Sequence, residues 1–401
     1  MIEVGDTLHA PWMDAPAVRR LLAALAQGGV GARFVGGCVR DTLLGRAIGD
    51  IDLAVDKPPD VVVQALEAAA IKVVPTGIKH GTVTAVIERR PFELTTLRRD
   101  VETDGRRAIV AFTDDWFVDA SRRDFTFNAL YAAPDGTLFD PFDGRADLAA
   151  GRVRFIGDAD RRIEEDRLRV LRFFRFYAWF GRPPLDGEGF AACRRSAATL
   201  GALSAERVAK ELLRLLAAPA AADALDAMAE AGTLDHWLPE FLGTRTLRAL
   251  MGREDEPDPL RRLAAIVSSA SAAVVAKRLR LSTQETLRLE LMLSTESAVR
   301  LDGDARNLRA QIYRLGTRLF IDRVLLAVEV PGDWRAAVAL ARSWTPPDLP
   351  VTGADVVKLG LQPGRKIGNL LDAVEQWWVA GDFTADRAAC LAELERRAAD
   401  A

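Results

Sequence analysis

Apolar residues alternate with a period of two only up to about residue 158; from there to residue 401 the apolar spacing is helical. A strand-bearing α/β head of about 150 residues therefore precedes an all-helical remainder, and the predicted class is α+β. Within the head, residues 16–28 are expected as an amphipathic helix ending at Gly28-Gly29. RFVGG follows as a short strand, CVRDTLLG as a helix stopped by Gly45, and DIDLAV as a strand. VVVQALEAAA is the next predicted helix, with strands at IKVVP, GTVTAVIE and PFELTTL. LRRDVETDGRRAIVAFTDD has no clear period and is expected as a mobile loop. TLFDPFDGRADLAAGRVRFIG is expected as a strand, an Asp-Gly turn and a second strand. From EEDRLRVLRFFRFYAWF onward helices are interrupted at Pro183-Pro184, at Pro239 and at the EPDP stretch, and WTPPDLP suits a linker.

The chain is too long for one core, so about two to four domains are expected. A formal net charge of −3 argues against a uniformly basic nucleic-acid coat but leaves room for local basic patches. Three cysteines, Cys38, Cys193 and Cys390, are scattered without CxxC spacing. That disfavours a disulfide framework or zinc site and suits a reducing compartment. Glu3, Asp6 and Asp14 near the N-terminus do not suit a signal peptide, and no run of eighteen apolar residues occurs. The expected location is cytoplasmic, with no membrane partner.

Two short motifs carry chemistry. In FVGGCVRDTLLGRAIGDIDLAV, alternation along a strand would point Asp50 and Asp52 to the same face. Adjacent carboxylates repel, and a divalent ion such as magnesium, which also bridges phosphates, resolves the repulsion. Gly36 and Gly37 leave backbone N–H groups unshielded at a helix start, favourable for phosphate oxygens, and Arg40 can reach the same place. Taken singly, the glycines also suit a tight turn and the aspartates a solvated strand edge.

The pairing of GGxVRD with DxD at this spacing resembles the nucleotidyltransferase head of the class II tRNA nucleotidyltransferase and bacterial poly(A) polymerase family. The resemblance implies a small polymerase-β-like head with a mixed sheet. It makes Asp50 and Asp52 the catalytic and metal-binding residues for two magnesium ions, with Gly36, Gly37 and Arg40 on the nucleotide triphosphate. SRRDFTFNALY resembles the family's second motif and implies nucleotide binding by Arg123, Asp124 and Asn128. The same residues also suit a helix start with Asp124 as N-cap over buried Phe125, Phe127 and Leu130. GIKHGTVT and FELTTLRRD resemble the family's central strands; His80 is left unassigned, and Glu93 is a third metal carboxylate only by analogy. The charged stretch from Arg98 to Asp114 occupies the place of a flexible, nucleotide-positioning loop, or is a solvated surface run.

EEDRLRVLRFFRF places Asp166, Arg169, Arg172 and Arg175 at steps of three, so Asp166 and Arg169 would share a helix face. By spacing alone an intrahelical ion pair contributing about 0.3–0.5 kcal/mol explains them. The resemblance instead makes Glu165-Asp166-Arg167-Leu168-Arg169 the family's EDxxR motif, whose aspartate and arginine read the incoming base. A carboxylate only accepts and a guanidinium only donates, which suits the amino group and ring nitrogen of cytosine or adenine. Uracil and guanine would set a carbonyl against the carboxylate, at a cost of about 1–3 kcal/mol or more. Arg172 and Arg175 would contact the triphosphate or brace this template.

LSAERVAKELLRLL resembles the family's neck, with Ser204 a good N-cap and Arg207 in the slot a capping-box glutamate would fill. VTGADVVKLGLQPGRKIGNLLDAVEQWW resembles the tail, with turn residues Gly360, Pro363 and Gly364 and with Arg365 and Lys366 near RNA phosphate. The implied division is head 1–150, neck 151–220, body 221–343 and tail 351–401. The implied activity is template-independent addition of CCA to the 3′ end of tRNA from CTP and ATP. The alternatives are a poly(A) polymerase, an enzyme adding only CC or only A, and a non-catalytic RNA-binding protein. No obligatory protein partner is evident.

Overall fold

The computed structural model describes residues 7–78, 81–103, 108–295, 298–301, 303–359 and 364–399. Contacts divide the chain into two units, 1–239 and 240–401. In the first, α1 (Pro16–Gln27), β1 (Ala32–Val35), α2 (Gly37–Leu43), β2 (Asp52–Val55) and α3 (Pro59–Ala68) lead to β3 (Lys72–Gly77), β4 (Thr82–Ile87) and β5 (Arg90–Thr96). β6 (Arg98–Thr103), β7 (Ala108–Phe112), α4 (Trp116–Ser121) and a 3₁₀ turn (Thr126–Asn128) follow, then β8 (Tyr131–Ala132), β9 (Leu138–Phe139) and α5 (Gly144–Ala150). The rest is helical: α6 (Ala159–Glu165), α7 (Leu168–Phe180), α8 (Gly187–Ser196), α9 (Ala205–Leu216) and α10 (Ala221–Glu230).

Seven strands form one sheet in the order β3-β4-β5-β2-β1-β8-β9. β2 and β5 run parallel and every other pairing is antiparallel, so the sheet is mixed as expected. β2 is central: Leu53, Ala54 and Val55 are at most 1% exposed, with β1 and β5 on either side. β4 alternates buried and half-buried residues along TVTAVI, the burial pattern its period of two predicts.

Two expectations need correction. Residues 98–112 are not a loop: β6 and β7 pair antiparallel as a two-stranded hairpin whose residues 104–107 lie outside the described set. The stretch after the Asp-Gly turn is a helix rather than a strand. Asp143 takes a left-handed φ of 57°, and Asp140 accepts the N–H groups of Gly144 and Arg145 at 2.7 and 3.0 Å, which starts α5. A Cβ on Gly144 would stand 2.3 Å from the Thr126 carbonyl oxygen, so its glycine lets α5 sit against the 3₁₀ turn.

α7 packs on α9 and α10, and its inner face is aromatic. Phe173 and Phe176 pack against Phe125, Phe176 also meets Phe127, and Phe155 stacks on Phe173. Each such ring fully buried contributes about 1.5–3 kcal/mol, and together they fix the 3₁₀ turn to α7.

Among the described residues the second unit has ten α-helices, from Arg245–Met251 to Arg387–Ala399. It holds a buried ionic cluster of Arg261, Arg262 and Arg288 with Glu254, Asp258 and Asp322. A second core gathers Val351, Val356, Leu370, Val374, Trp378 and Leu394. No helix among the described residues is long and apolar enough to cross a membrane.

Candidate active site

The first glycine after β1 does what the sequence asks of it. Gly36 has a φ of 73° and precedes α2, while a Cβ there would meet only open space. The demand for glycine is therefore conformational, not a matter of room. Cys38, the second residue of α2, donates its thiol to the Val35 and Asp52 carbonyls at 3.4 and 3.8 Å, which ties α2 to the start of β2. Burial pushes that thiol up to about 11, so it packs rather than reacts.

β2 begins at Asp52; Asp50 lies before the strand and is exposed. The expectation that both aspartates share a strand is corrected here. Asp52 pairs in register with Glu93 of β5, so the two side chains leave the same face of the sheet. Burial, then the negative charges of Glu93 and Asp50, push the Asp52 carboxyl up to about 6 against the pull of Arg123. Mutually repelling carboxylates are the hard-oxygen donor set that a divalent cation relieves. Among the described residues no three His, Cys, Asp or Glu side chains are set to enclose an ion. A cation here would complete its shell from elsewhere.

Arg123 is the positive charge that acts on Asp52. Its Nε donates to the Tyr131 hydroxyl at 2.9 Å and its Nη2 to Asp119 at 3.2 Å. Asp119, on α4 and 1% exposed, also accepts from Tyr131 at 2.6 Å, from Arg122 Nε at 2.8 Å and from the Arg98 N–H at 3.2 Å. Burial pushes its carboxyl up, but the charges of Arg123 and Arg122 and the Tyr131 hydrogen bond overcome that and hold it at about 2.

A second network crosses three elements. Arg40 Nη1 donates to Asn128 Oδ1 at 2.9 Å; Asn128 Nδ2 donates to Asp124 Oδ1 at 2.9 Å; and Arg172 Nε donates to Asp124 Oδ2 at 2.7 Å. Asp124 is not a helix N-cap: Phe125 occupies that position at the 3₁₀ turn, and the Asp124 carboxylate faces Asn128 and Arg172 instead. Burial raises its carboxyl, and the Arg172 charge and Asn128 hydrogen bond take it below its ordinary value. Arg40 also lies 4.6 Å from the ring centre of Phe180 on α7. Arg175 is 9% exposed and turns to Glu211 of α9 at 2.5 Å, while Arg172 lies 3.9 Å from the same carboxylate.

EEDRLRVLRFFRF is not one helix. α6 ends at Glu165, Asp166 is extended with a φ of −154°, and α7 starts at Leu168. The Asp166 carboxylate accepts the Leu168 N–H at 3.1 Å, a local bond that competes with helix continuation. Its other oxygen accepts from Arg207 of α9 at 2.6 Å. Arg169 donates to Glu165 at 2.6 Å and to the Arg162 and Arg122 carbonyls at 2.9 and 3.1 Å. Ser204 stands at the N-cap of α9 without a side-chain cap bond.

The predicted residues thus fall into three groups: Asp50 and Asp52 with Arg123; Arg40, Asn128, Asp124 and Arg172; and Asp166 with Arg169, on separate partners. Arg175 is a buried brace to Glu211. Sequence reasoning missed Asp119, Tyr131, Arg207 and Glu211 as partners. Glu211 alone carried a visible signal, being a carboxylate on the buried face of an amphipathic helix between Val208 and Leu215. In the second unit Arg365 and Lys366 are exposed in the first turn of Arg365–Ala380. His80, Gly360 and Pro363 lie outside the described residues.

Residues 32–154 match the family model described as the poly(A) polymerase head domain, and 185–242 match the one described as the probable RNA and SrmB-binding site of polymerase A. The zebrafish (Danio rerio) mitochondrial CCA tRNA nucleotidyltransferase 1 is 34% identical over 375 residues, covering 91% of this chain and 87% of its own. The CCA-adding enzyme of Levilactobacillus brevis is 32% identical over 404 residues, covering 94% and 96%. Among solved structures, the Bacillus stearothermophilus CCA-adding enzyme in complex with CTP superposes with a TM-score of 0.81 at 27% identity, over 98% of this chain and 99% of that one.

Proposed function

The chain belongs to the family of CCA-adding tRNA nucleotidyltransferases, and from that premise we infer how its residues build the 3′-terminal CCA of tRNA from CTP and ATP. The reaction joins the tRNA 3′-hydroxyl oxygen to the α-phosphorus of the incoming nucleotide and releases pyrophosphate. The observation that carries the reading is Asp52 itself, half-buried on the sheet face it shares with Glu93: burial first, then the charges of Glu93 and Asp50, raise its carboxyl to about 6.

Family members generally work with divalent metal. We assign magnesium, as two ions, to Asp50 and Asp52; magnesium is commonly held by one or two carboxylates, with phosphates and water filling the remaining positions. Bound there it would make the 3′-hydroxyl more acidic and offset charge at the α-phosphate. Arg123 adds fixed positive charge beside Asp52, with Asp119 and Tyr131 holding its guanidinium so that little reorganisation is needed during transfer. Arg40, whose Nη2 would lie 4.0 Å from a Cβ placed on Gly37, and Arg172 supply charge for the triphosphate. Asn128 and Asp124 set the distance between those two arginines.

We assign base reading to Asp166 and Arg169. Each already has a protein partner, so an incoming cytosine or adenine would use the remaining lone pairs of the carboxylate and the remaining N–H groups of the guanidinium. Arg365 and Lys366 in the tail are assigned to RNA phosphate. The segments head 1–150, neck 151–220, body 221–343 and tail 351–401 are proposed as functional divisions. The three free cysteines favour a cytoplasmic setting.

A second reading, a poly(A) polymerase, is favoured by the description of the matched head model. The experiment that separates them offers CTP or ATP with tRNA lacking CCA, tRNA ending in CC, and unrelated RNA. CMP added to the first and AMP to the second is the expected result. ATP-driven extension of unrelated RNA would overturn it in favour of poly(A) synthesis, and addition of only one nucleotide type would indicate a partial enzyme.

A further inference from the structure

We infer that Arg207 is a positioning residue that sets base selectivity by fixing the orientation of the Asp166 carboxylate; this rests on the base-reading role proposed for Asp166. Asp166 stands on the link between α6 and α7, outside both helices. Helical geometry therefore does not decide where its side chain points. Two contacts do: the Leu168 N–H on one oxygen at 3.1 Å and Arg207 Nη2 on the other at 2.6 Å. Two anchors on two oxygens define the plane of a carboxylate, and each oxygen keeps a lone pair for a further donor.

Arg207 has a rigid base. One turn further along α9, Glu211 is 5% exposed and binds Arg175 of α7, and Leu212 and Leu215 are buried on the same helix. α9 is thereby fastened to the reading helix at Glu211, and Arg207 extends from that fixed point to the link. The Arg207–Asp166 pair itself is partly open, with side chains 33% and 29% exposed. A pair so exposed adds little to folding stability, so its value lies in orientation. The exposure also leaves the carboxylate within reach of an incoming group.

Without Arg207 the carboxylate keeps only its local anchor and can rotate about its side-chain bonds. It then meets an amino group less well and also moves away from the carbonyl of uracil or guanine, whose rejection depends on two acceptors being held face to face. Selectivity should fall from both directions.

The test measures kcat/KM for CTP against UTP on tRNA lacking CCA, and for ATP against GTP on tRNA ending in CC. It compares the wild-type protein with Arg207→Ala, Arg207→Lys and Asp166→Ala, with thermal unfolding of each. In Arg207→Ala the C-over-U and A-over-G ratios are expected to fall by roughly tenfold, the effect of one misplaced polar contact. Arg207→Lys should recover part of the loss, because a single donor makes the contact, and Tm should change little in both. Intact ratios in Arg207→Ala alongside relaxed ratios in Asp166→Ala would overturn the role of Arg207 while sparing that of Asp166. Intact ratios in both would overturn base reading by Asp166 and this inference with it. A uniform loss of rate for all four nucleotides at unchanged ratios would make Arg207 merely structural.

Discussion

Arg40 and Asn128, 88 residues apart in the chain, meet through a 2.9 Å hydrogen bond from the guanidinium to the amide oxygen. That contact joins the Gly-Gly turn to the RRDFTFNA motif, and the other end of the same amide passes the connection to Asp124 and so to α7. The Gly-Gly turn, the RRDFTFNA motif and Arg172 of α7 are thus joined by one chain of hydrogen bonds.

Removing the shared amide should disturb both ends. Asn128→Ala leaves Arg40 with Asp41, and Asp124 with Arg172, but takes one partner from each in a buried setting. A loss of about 1–3 kcal/mol is expected, together with a raised KM for CTP. Urea unfolding at constant m-value and steady-state kinetics check it; unchanged stability would mean the network is not energetically coupled.

Asp119 sets a pH dependence. Its carboxyl sits at about 2 in the folded chain against an ordinary value of 3.8. A value depressed by folding stabilises at pH above the unfolded value, and the contribution is lost as pH falls through the folded one. The window therefore runs from about pH 4 down to about pH 2, over which about 2–3 kcal/mol should disappear. Asp119→Asn should be less stable near neutrality and flatter across that window, as measured by denaturant titration at a series of pH values.

Glu93 crowds Asp52 without being its chain neighbour. Glu93→Gln removes one negative charge from the proposed metal site, and half-saturation by magnesium should rise by roughly tenfold or more, with kcat at saturating magnesium less affected. A magnesium titration of CMP transfer reads this directly.

Arg169 donates to Glu165 and to two backbone carbonyls, so Arg169→Ala loses those bonds as well as the donor proposed to read the base. Misincorporation of UMP and GMP relative to CMP and AMP should increase, by a factor corresponding to about 1–3 kcal/mol. If exclusion of UTP and GTP persists unchanged, the template assignment to Arg169 is wrong.

How much of this was legible in the sequence depends on how local each feature is. β4 and β5 followed their alternation, and the Gly-Gly turn and DxD carried their own chemistry. The break at Asp166 was hidden because no proline or glycine marks it; an aspartate bonding its own backbone two residues on looks, in sequence, like any helical aspartate. α5 was hidden by its Asp-Gly start, which suits a hairpin equally well until Asp140 is seen to accept two helix N–H groups. Arg207–Asp166 and Asp119–Tyr131 were beyond reach for another reason. These partners lie 41 and 12 residues apart, and pairings across such gaps follow from tertiary packing rather than from any period; the Asp119 pairs with Arg122 and Arg123, three and four residues on, are local.

The most direct measurement is CMP transfer to tRNA lacking CCA by Asp52→Asn protein at saturating magnesium, with thermal unfolding alongside. The account predicts a loss of at least about a thousandfold in kcat, and a Tm equal to or above that of the wild type, since the change relieves repulsion from Glu93 and Asp50. Turnover within a few-fold of the wild type would contradict it.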